Sequence, residues 1–84
     1  MNKPTNQQVN KLKELYNGVL GTSDKSTQKG LLTHFSQILH DISPVSDFYR
    51  DFRTQLISFD VGLESSAKLT AIMRNAIDYY QAQV

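Results

Sequence analysis

The two histidines, His34 and His40, are the first candidates for metal binding or proton transfer, because the chain contains no cysteine. At six residues apart on a helix, the two rings point about 240° away from each other and cannot share one metal ion. Neither histidine has a Glu or a second His four positions away. The pattern therefore favours solvated or hydrogen-bonded histidines over metal ligands or general bases.

Asp47 and Asp51 lie four residues apart, a spacing that places two carboxylates on one face of a helix. Paired carboxylates can serve acid–base or metal chemistry. A metal site inside a helical bundle also needs carboxylates and histidines from facing helices, and the spacing identifies no such set. Arg50 lies beside both aspartates, so a surface ion pair between Asp47 and Arg50 is the favoured interpretation.

Other catalytic patterns are missing from the sequence. No serine lies in a nucleophile-elbow sequence, and no Gly-rich phosphate loop is present. Absence of cysteine excludes a thiolate nucleophile and a Cys-based zinc site. The sequence therefore predicts a protein that is not an enzyme and that uses no metal and no cofactor.

Three lysines near the N-terminus, Lys3, Lys11 and Lys13, form a thin basic face without interleaved aromatic residues. The net charge of the chain is only +1, too small to indicate nucleic-acid binding. No nucleic-acid partner is expected, although a small helical regulatory or nucleic-acid-associated module stays open as the alternative function.

Four segments repeat apolar residues every three or four positions, which is typical of amphipathic helices. We predict helices over residues 5–20, 24–41, 44–59 and 64–81. Their apolar stripes are Val9, Leu12, Tyr16, Val19 and Leu20; Leu31, Leu32, Phe35, Ile38, Leu39 and Ile42; Val45, Phe48, Tyr49, Phe52, Leu56 and Phe59; and Leu69, Ile72, Met73, Ala76, Ile77 and Tyr80. The third stripe is rich in aromatic residues, so the third helix is expected to contribute the largest share of buried area.

Capping residues support these helix starts. Thr5 and Gln8 fit the capping box, in which each side chain accepts a hydrogen bond from the backbone of the other residue. Ser43 is a good N-cap, and Pro44 suits the first position of a helix because it has no amide hydrogen to leave unpaired. Residues 64–66 offer an acidic group and two hydroxyls to the start of the fourth helix.

Short connections of two to five residues make sequential helices antiparallel neighbours. The predicted fold is therefore all-α, a single domain over residues 1–84, and an antiparallel up-down-up-down four-helix bundle. The segment 1–10 is polar and lacks the apolar region of a secretory signal, and no apolar run is long enough to cross a bilayer. A cytoplasmic protein that does not span the membrane is expected.

The chain resembles the small immunity proteins of class IIa (pediocin-like) bacteriocins, the enterocin A immunity family. The segment 9–16, with its Glu-Leu-Tyr run, is similar to the first helix of that family. The break at residues 42–44, the aromatic-rich helix after it, and the segment 61–63 before a last helix with Leu69 and Ile72 are similar to its second half.

This resemblance implies a non-enzymatic four-helix bundle that protects a bacteriocin producer from its own toxin. Members act inside the cell on the complex of the toxin with its membrane receptor, the mannose phosphotransferase permease. The resemblance therefore places the protein in the cytoplasm, at times peripheral to the inner membrane face. Many members carry a C-terminal extension that helps to determine specificity, and here the segment 79–84 is the corresponding candidate.

Apolar residues outside the stripes are the remaining candidates for partner contacts. Leu15 lies at the edge of its stripe and Ile57 lies well off its own, and single exposed apolar residues are common on protein surfaces. Tyr79 and Tyr80, together with Arg74, form the best candidate for a partner-binding surface, because Tyr and Arg are enriched at binding hot spots.

Overall fold

Four α-helices account for most of the residues that the computed structural model describes, 3–62 and 66–84. They are α1 (Asn6–Leu20), α2 (Lys25–Ile42), α3 (Asp47–Asp60) and α4 (Ala67–Gln81). The prediction of an all-α four-helix bundle is confirmed, and no strand occurs in the described part of the chain.

Polar side chains fix the starts of α1 and α2. At α1 the Gln8 amide donates to the Thr5 hydroxyl at 3.1 Å and the Thr5 amide donates to the Gln8 side-chain oxygen at 2.9 Å, which confirms the capping box. At α2 the Asp24 carboxylate accepts from the Thr27 amide at 2.9 Å. Hydrogen bonds from the Thr27 hydroxyl and the Thr27 amide hold the pKa of Asp24 below its ordinary value.

The predicted start of the third helix at Pro44 is wrong, because α3 begins three residues later at Asp47. The Ser46 amide donates to the Ser43 carbonyl at 3.2 Å, so Pro44 lies in a turn, where its fixed backbone angle is favoured. The N-cap of α3 is Ser46, whose hydroxyl accepts from the Tyr49 amide at 3.2 Å. Ser43 is the residue that closes α2 instead.

The start of α4 is described only from Ser66 onward. Glu64 and Ser65 lie outside the described residues, and the helix is described from Ala67 onward. The N-cap residue Ser66 has helical backbone angles and makes no capping hydrogen bond through its side chain. Gly62, after the end of α3, has a φ of +81°, a left-handed conformation that glycine adopts without steric cost.

Contacts between helix ends show that successive helices are antiparallel. Lys29, near the start of α2, pairs with Asp60 at the end of α3 at 2.7 Å. His40, near the end of α2, lies edge-on to the ring of Tyr49 near the start of α3, with 5.1 Å between ring centroids. α1 packs on α2 and α4, and α3 packs on the same two helices. Each helix therefore has two neighbours, as an up-down-up-down bundle requires.

A close approach between α1 and α2 depends on Gly18. A methyl group at this position would lie 3.1 Å from a Leu31 methyl carbon, closer than side chains normally pack. Leu31 therefore fills the space above the Gly18 backbone, and a larger residue at position 18 would require the Leu31 side chain to shift by a few tenths of an ångström.

Within residues 3–62 and 66–84, the core contains sixteen buried apolar residues from all four helices. At its centre the rings of Phe35 on α2 and Phe52 on α3 lie 5.1 Å apart, and neither is exposed to solvent. The buried residues are Val9, Leu12, Leu15, Val19, Leu32, Phe35, Ile38, Leu39, Ile42, Phe52, Phe59, Leu69, Met73, Ala76, Ile77 and Tyr80. The stripes predicted for α2 and α4 are thus confirmed, with Leu31 and Ile72 only partly buried.

Two core expectations are wrong. Leu20 is 58% exposed, whereas Leu15, expected at the stripe edge, is buried. Val45 is 90% exposed, because it lies in the turn before α3 instead of inside the helix. α3 buries Phe52 and Phe59, fewer residues than any other helix, and its partly buried Phe48, Tyr49 and Leu56 also pack against the core, so the expected largest share of buried area stays a prediction.

Candidate partner-binding surface

Three aromatic rings meet where the start of α3 lies beside the end of α4. The Phe48 ring centroid lies 5.4 Å from that of Tyr79 and 5.8 Å from that of Tyr80. The two tyrosine rings are 5.4 Å apart and nearly perpendicular. Edge-to-face and tilted pairs at these distances are the favoured geometries for aromatic rings. Phe48, Tyr79 and Tyr80 are called the aromatic cluster below.

The two tyrosines of the aromatic cluster have different environments. Tyr79 is 53% exposed, and Tyr80 is buried with only 3% of its surface accessible. Tyr80 therefore belongs to the core, and its assignment to a partner-binding surface is corrected, because a buried ring cannot contact a second molecule. Phe48 is partly buried and packs on the core, so it supports the exposed Tyr79 ring from below.

Arg74 is exposed, but it does not share a surface with Tyr79. Five residues along a helix correspond to a rotation of about 140°, which puts the two side chains on different faces of α4. Arg74 lines a shallow depression between α1 and α4, together with Tyr16 and Asn75. The three residues predicted as one surface thus separate into an exposed tyrosine, a core tyrosine and a distant arginine.

The residues that could have carried metal or acid–base chemistry lie on the surface. His34 and His40 are both exposed, and no cluster of three metal-ligating side chains occurs within residues 3–62 and 66–84. Asp47 accepts from the Arg50 guanidinium at 2.8 Å, and both side chains are largely exposed. The interpretation of Asp47 and Arg50 as a surface ion pair is therefore confirmed.

Of the three lysines in the N-terminal region, Lys3 is exposed. Lys11 and Lys13 are each partly buried, and the Lys11 ammonium lies 3.6 Å from a carboxylate oxygen of Glu14. Pairing with Glu14 offsets part of the positive charge that a nucleic-acid phosphate would need.

Sequence reasoning missed Phe48 as part of this surface, because helical periodicity assigned it to the core. The contact between Phe48 and Tyr79 joins two helices that are far apart in the sequence. Periodicity within a single helix cannot predict such a contact. Antiparallel topology can, because it brings the start of α3 next to the end of α4.

Comparison with models of known protein families gave no match, and neither curated proteins nor solved structures gave one. Evidence about function therefore comes from the chain's own geometry. In the described part of the chain, none of the helices combines the length and the apolar character that crossing a membrane requires.

Proposed function

We propose that this protein is a non-enzymatic immunity factor against a pediocin-like bacteriocin, acting by contact with the toxin-occupied mannose phosphotransferase permease at the cytoplasmic face of the membrane. The observation that carries the proposal is the exposed Tyr79 ring, held by Phe48 near the C-terminal end of a four-helix bundle. In the family that the sequence resembles, a C-terminal extension helps to determine which toxin is countered, and the segment 79–84 is the corresponding candidate here.

The geometry of Tyr79 suits recognition of a protein partner. Its ring is already in place, because it contacts Phe48 from α3 and Tyr80 from the core. A side chain that is ordered before binding loses less conformational entropy when the complex forms. Tyrosine also combines a large apolar ring with a hydroxyl that can hydrogen-bond, which accounts for its enrichment at binding hot spots.

A protection assay in a sensitive lactic acid bacterium tests this function. Cells that express the chain should tolerate higher concentrations of at least one bacteriocin in a panel of pediocin-like toxins. Unchanged sensitivity to the whole panel would reject the immunity function.

Variants then test the role of the exposed ring. Tyr79→Ala should abolish protection while the melting temperature of the purified protein stays nearly the same, and Tyr79→Phe should retain the ring contact with Phe48. Leu20→Ala is a matched control, because Leu20 is an apolar side chain of similar exposure on another helix. Equal protection by Tyr79→Ala and by the parent protein would exclude the aromatic cluster as the contact surface.

Arg74→Ala belongs in the same assay as a separate test. Since Arg74 and Tyr79 lie on different faces of α4, loss of protection in both variants would require a partner that contacts two sides of the helix. Loss with Tyr79→Ala alone would confine the contact to the aromatic cluster.

A further inference from the structure

A second surface lies along the outside of α3, away from the aromatic cluster. Exposed or partly exposed side chains recur there at every fourth position: Val45, Tyr49, Arg53, Ile57 and Val61. Tyr49, Arg53 and Ile57 lie four residues apart on α3 and form a continuous ridge, which Val45 in the preceding turn and Val61 at the helix end extend. Such ridges pack into the grooves of other helices. These five residues are called the outer ridge.

The outer ridge is more apolar than an ordinary solvent-facing helix surface. Val45, Ile57 and Val61 are 90%, 59% and 63% exposed, which makes them three of the most exposed large apolar side chains in the described part of the chain. They flank a central polar pair, in which the Arg53 guanidinium donates to the Tyr49 hydroxyl at 2.9 Å. The ridge therefore has aliphatic ends and a cationic centre.

Grooves run along both sides of the outer ridge. One, of about 490 Å³, lies between α2 and α3 and is bounded by His40 at one end and by the Lys29–Asp60 ion pair at the other. The other, of about 390 Å³, lies beside the turn that precedes α3. Tyr49, Arg53 and Ile57 line both grooves, so these side chains stand between two depressions. A row of side chains between two grooves is the surface shape found where two helices pack together.

The ion pairs around the outer ridge leave Arg53 without a carboxylate partner in the described part of the chain. Lys29 is paired with Asp60, and Arg50 is paired with Asp47. Among residues 3–62 and 66–84, no carboxylate lies within ion-pair distance of Arg53, whose hydrogen-bond partner is the neutral Tyr49 hydroxyl. A guanidinium binds a carboxylate through strong, charge-assisted hydrogen bonds. A carboxylate supplied by a partner would complete this site.

The position of Arg53 also argues against a second copy of the chain as the occupant. In a two-fold contact centred on the outer ridge, Arg53 would face Arg53 of the other copy, since a symmetric interface brings each central residue onto itself. Two like charges in contact oppose association. A partner with a central negative charge avoids this conflict.

We propose that the outer ridge of α3 binds an amphipathic helix whose apolar residues contact Val45, Ile57 and Val61 and whose central Asp or Glu pairs with Arg53. α3 spans roughly 21 Å from Asp47 to Asp60 at the rise of an α-helix, and Val45 and Val61 lie just beyond its two ends, so a partner helix of about 16 residues would cover the ridge. Tyrosine and arginine at the centre of the contact are the residue types that most often dominate binding energy. This proposal does not depend on the immunity function, because it concerns a different surface.

Designed peptides test the outer ridge directly. The probe is a helix-stapled peptide of about 18 residues with leucines four positions before and after a central Glu, and the matched probes carry Gln or Lys at that centre. Titration of the full chain labelled with ¹⁵N should shift the amide signals of residues 45–61. The Glu peptide should bind about tenfold more tightly than the Gln peptide, since a charge-assisted pair contributes on that order.

A charge exchange distinguishes specific pairing from general stickiness. Arg53→Glu should lose its preference for the Glu peptide and prefer the Lys peptide, with an unchanged melting temperature because the Arg53 side chain is exposed. Arg74→Glu is the control, since this arginine lies on α4 and should leave peptide binding unaltered.

Three outcomes would overturn the proposal. One is no binding of the Glu peptide at millimolar concentration, and another is equal affinity for the Glu, Gln and Lys peptides. The third is concentration-dependent self-association that shifts the signals of residues 45–61, which would make a second copy the occupant. The protection assay with Tyr79→Ala is independent of all three, so the two proposals can fail separately.

Discussion

α3 and α4 are neighbours in the bundle, yet they distribute their apolar side chains differently. α4 buries Leu69, Met73, Ala76, Ile77 and Tyr80 along one face. α3 carries four of the eight aromatic residues of the chain, but only Phe52 and Phe59 are buried. Its remaining apolar side chains lie at the edge of the core or in solvent. A helix rich in aromatic residues is thus not necessarily deeply buried.

The difference follows from how the two helices are covered. α3 packs less extensively on α2 and α4 than α1 does on the same helices. Its N-terminus is delayed to Asp47 by the turn at Pro44, so Val45 lies outside the helix. Apolar residues that a bundle leaves uncovered are available for partners. α3 therefore contributes one edge to the core and leaves its other apolar side chains partly or largely exposed.

Phe52→Ala should give the largest effect on stability, since Phe52 is fully buried against Phe35. The free energy of unfolding should fall by about 3–5 kcal/mol, from lost burial and from the cavity left behind. Ile57→Ala, on the outside of the same helix, should change it by less than about 0.5 kcal/mol. Denaturant unfolding followed by circular dichroism measures both. An unmoved transition for Phe52→Ala would mean that the assigned core face of α3 is wrong.

The same substitution, Leu→Ala, can be made on α4 and on α3 to compare how well the two helices are covered. Leu69 on α4 is fully buried, so Leu69→Ala should cost about 2–5 kcal/mol. Leu56 on α3 is only partly buried and lines a groove, so Leu56→Ala should cost about 1–2 kcal/mol. The same unfolding experiment ranks them. Equal losses would show that α3 is as well covered as α4 and would remove the contrast between the two helices.

Helix starts provide a smaller test of the same contrast. The Ser46 hydroxyl caps α3, so Ser46→Ala should lower the free energy of unfolding by about 1 kcal/mol. Ser66 makes no capping hydrogen bond through its side chain at α4, and Ser66→Ala should change it by less than about 0.5 kcal/mol. Ser43→Ala gives the control for the turn. If Ser43→Ala proved more costly than Ser46→Ala, α3 would begin at Pro44 after all.

The helical periods of the sequence were sufficient to predict the four helices and most of the core. Periodicity within one helix defines an apolar stripe, but the neighbouring helices determine which edge of the stripe they cover. Leu15 and Leu20 illustrate this point, since they lie at opposite edges of the stripe of α1 and only Leu15 is buried. The start of α3 was missed because Ser43 and Ser46 are equally plausible caps, and only the turn between them distinguishes the two.

The candidate surfaces were less predictable than the fold. Tyr79 was identified from its residue type and its place beyond the stripe, but its support by Phe48 depends on a contact between helices. The outer ridge contains Val45 and Tyr49, which periodicity assigned to the core, and Ile57, which it left as a single exposed residue. Their common spacing of four residues is visible in the sequence. Whether these side chains are exposed depends on where α2 and α4 pack against α3, and the sequence does not show this.

The smallest expected effect concerns the ion pair that connects α3 to α2. Lys29 and Asp60 are 2.7 Å apart, but each side chain is about half exposed, so water and salt weaken their attraction. A double-mutant cycle with Lys29→Gln and Asp60→Asn should give a coupling energy of about 0.2–1 kcal/mol that declines as salt is added. The matched pair is Asp47–Arg50, which lies within α3 and connects it to no other helix.

Both double-mutant cycles are measured from the unfolding transition. Only the Lys29–Asp60 cycle also removes a contact between α3 and α2. Loss of the Lys29–Asp60 pair should therefore broaden the signals of groove residues such as Leu56 in NMR spectra, whereas loss of the Asp47–Arg50 pair should leave those signals unchanged. If both pairs gave the same coupling and the same spectra, the ion pair would contribute nothing specific to the attachment of α3. Its outer surface would then be positioned by the buried Phe52 and Phe59 and by the partly buried side chains that pack against the core.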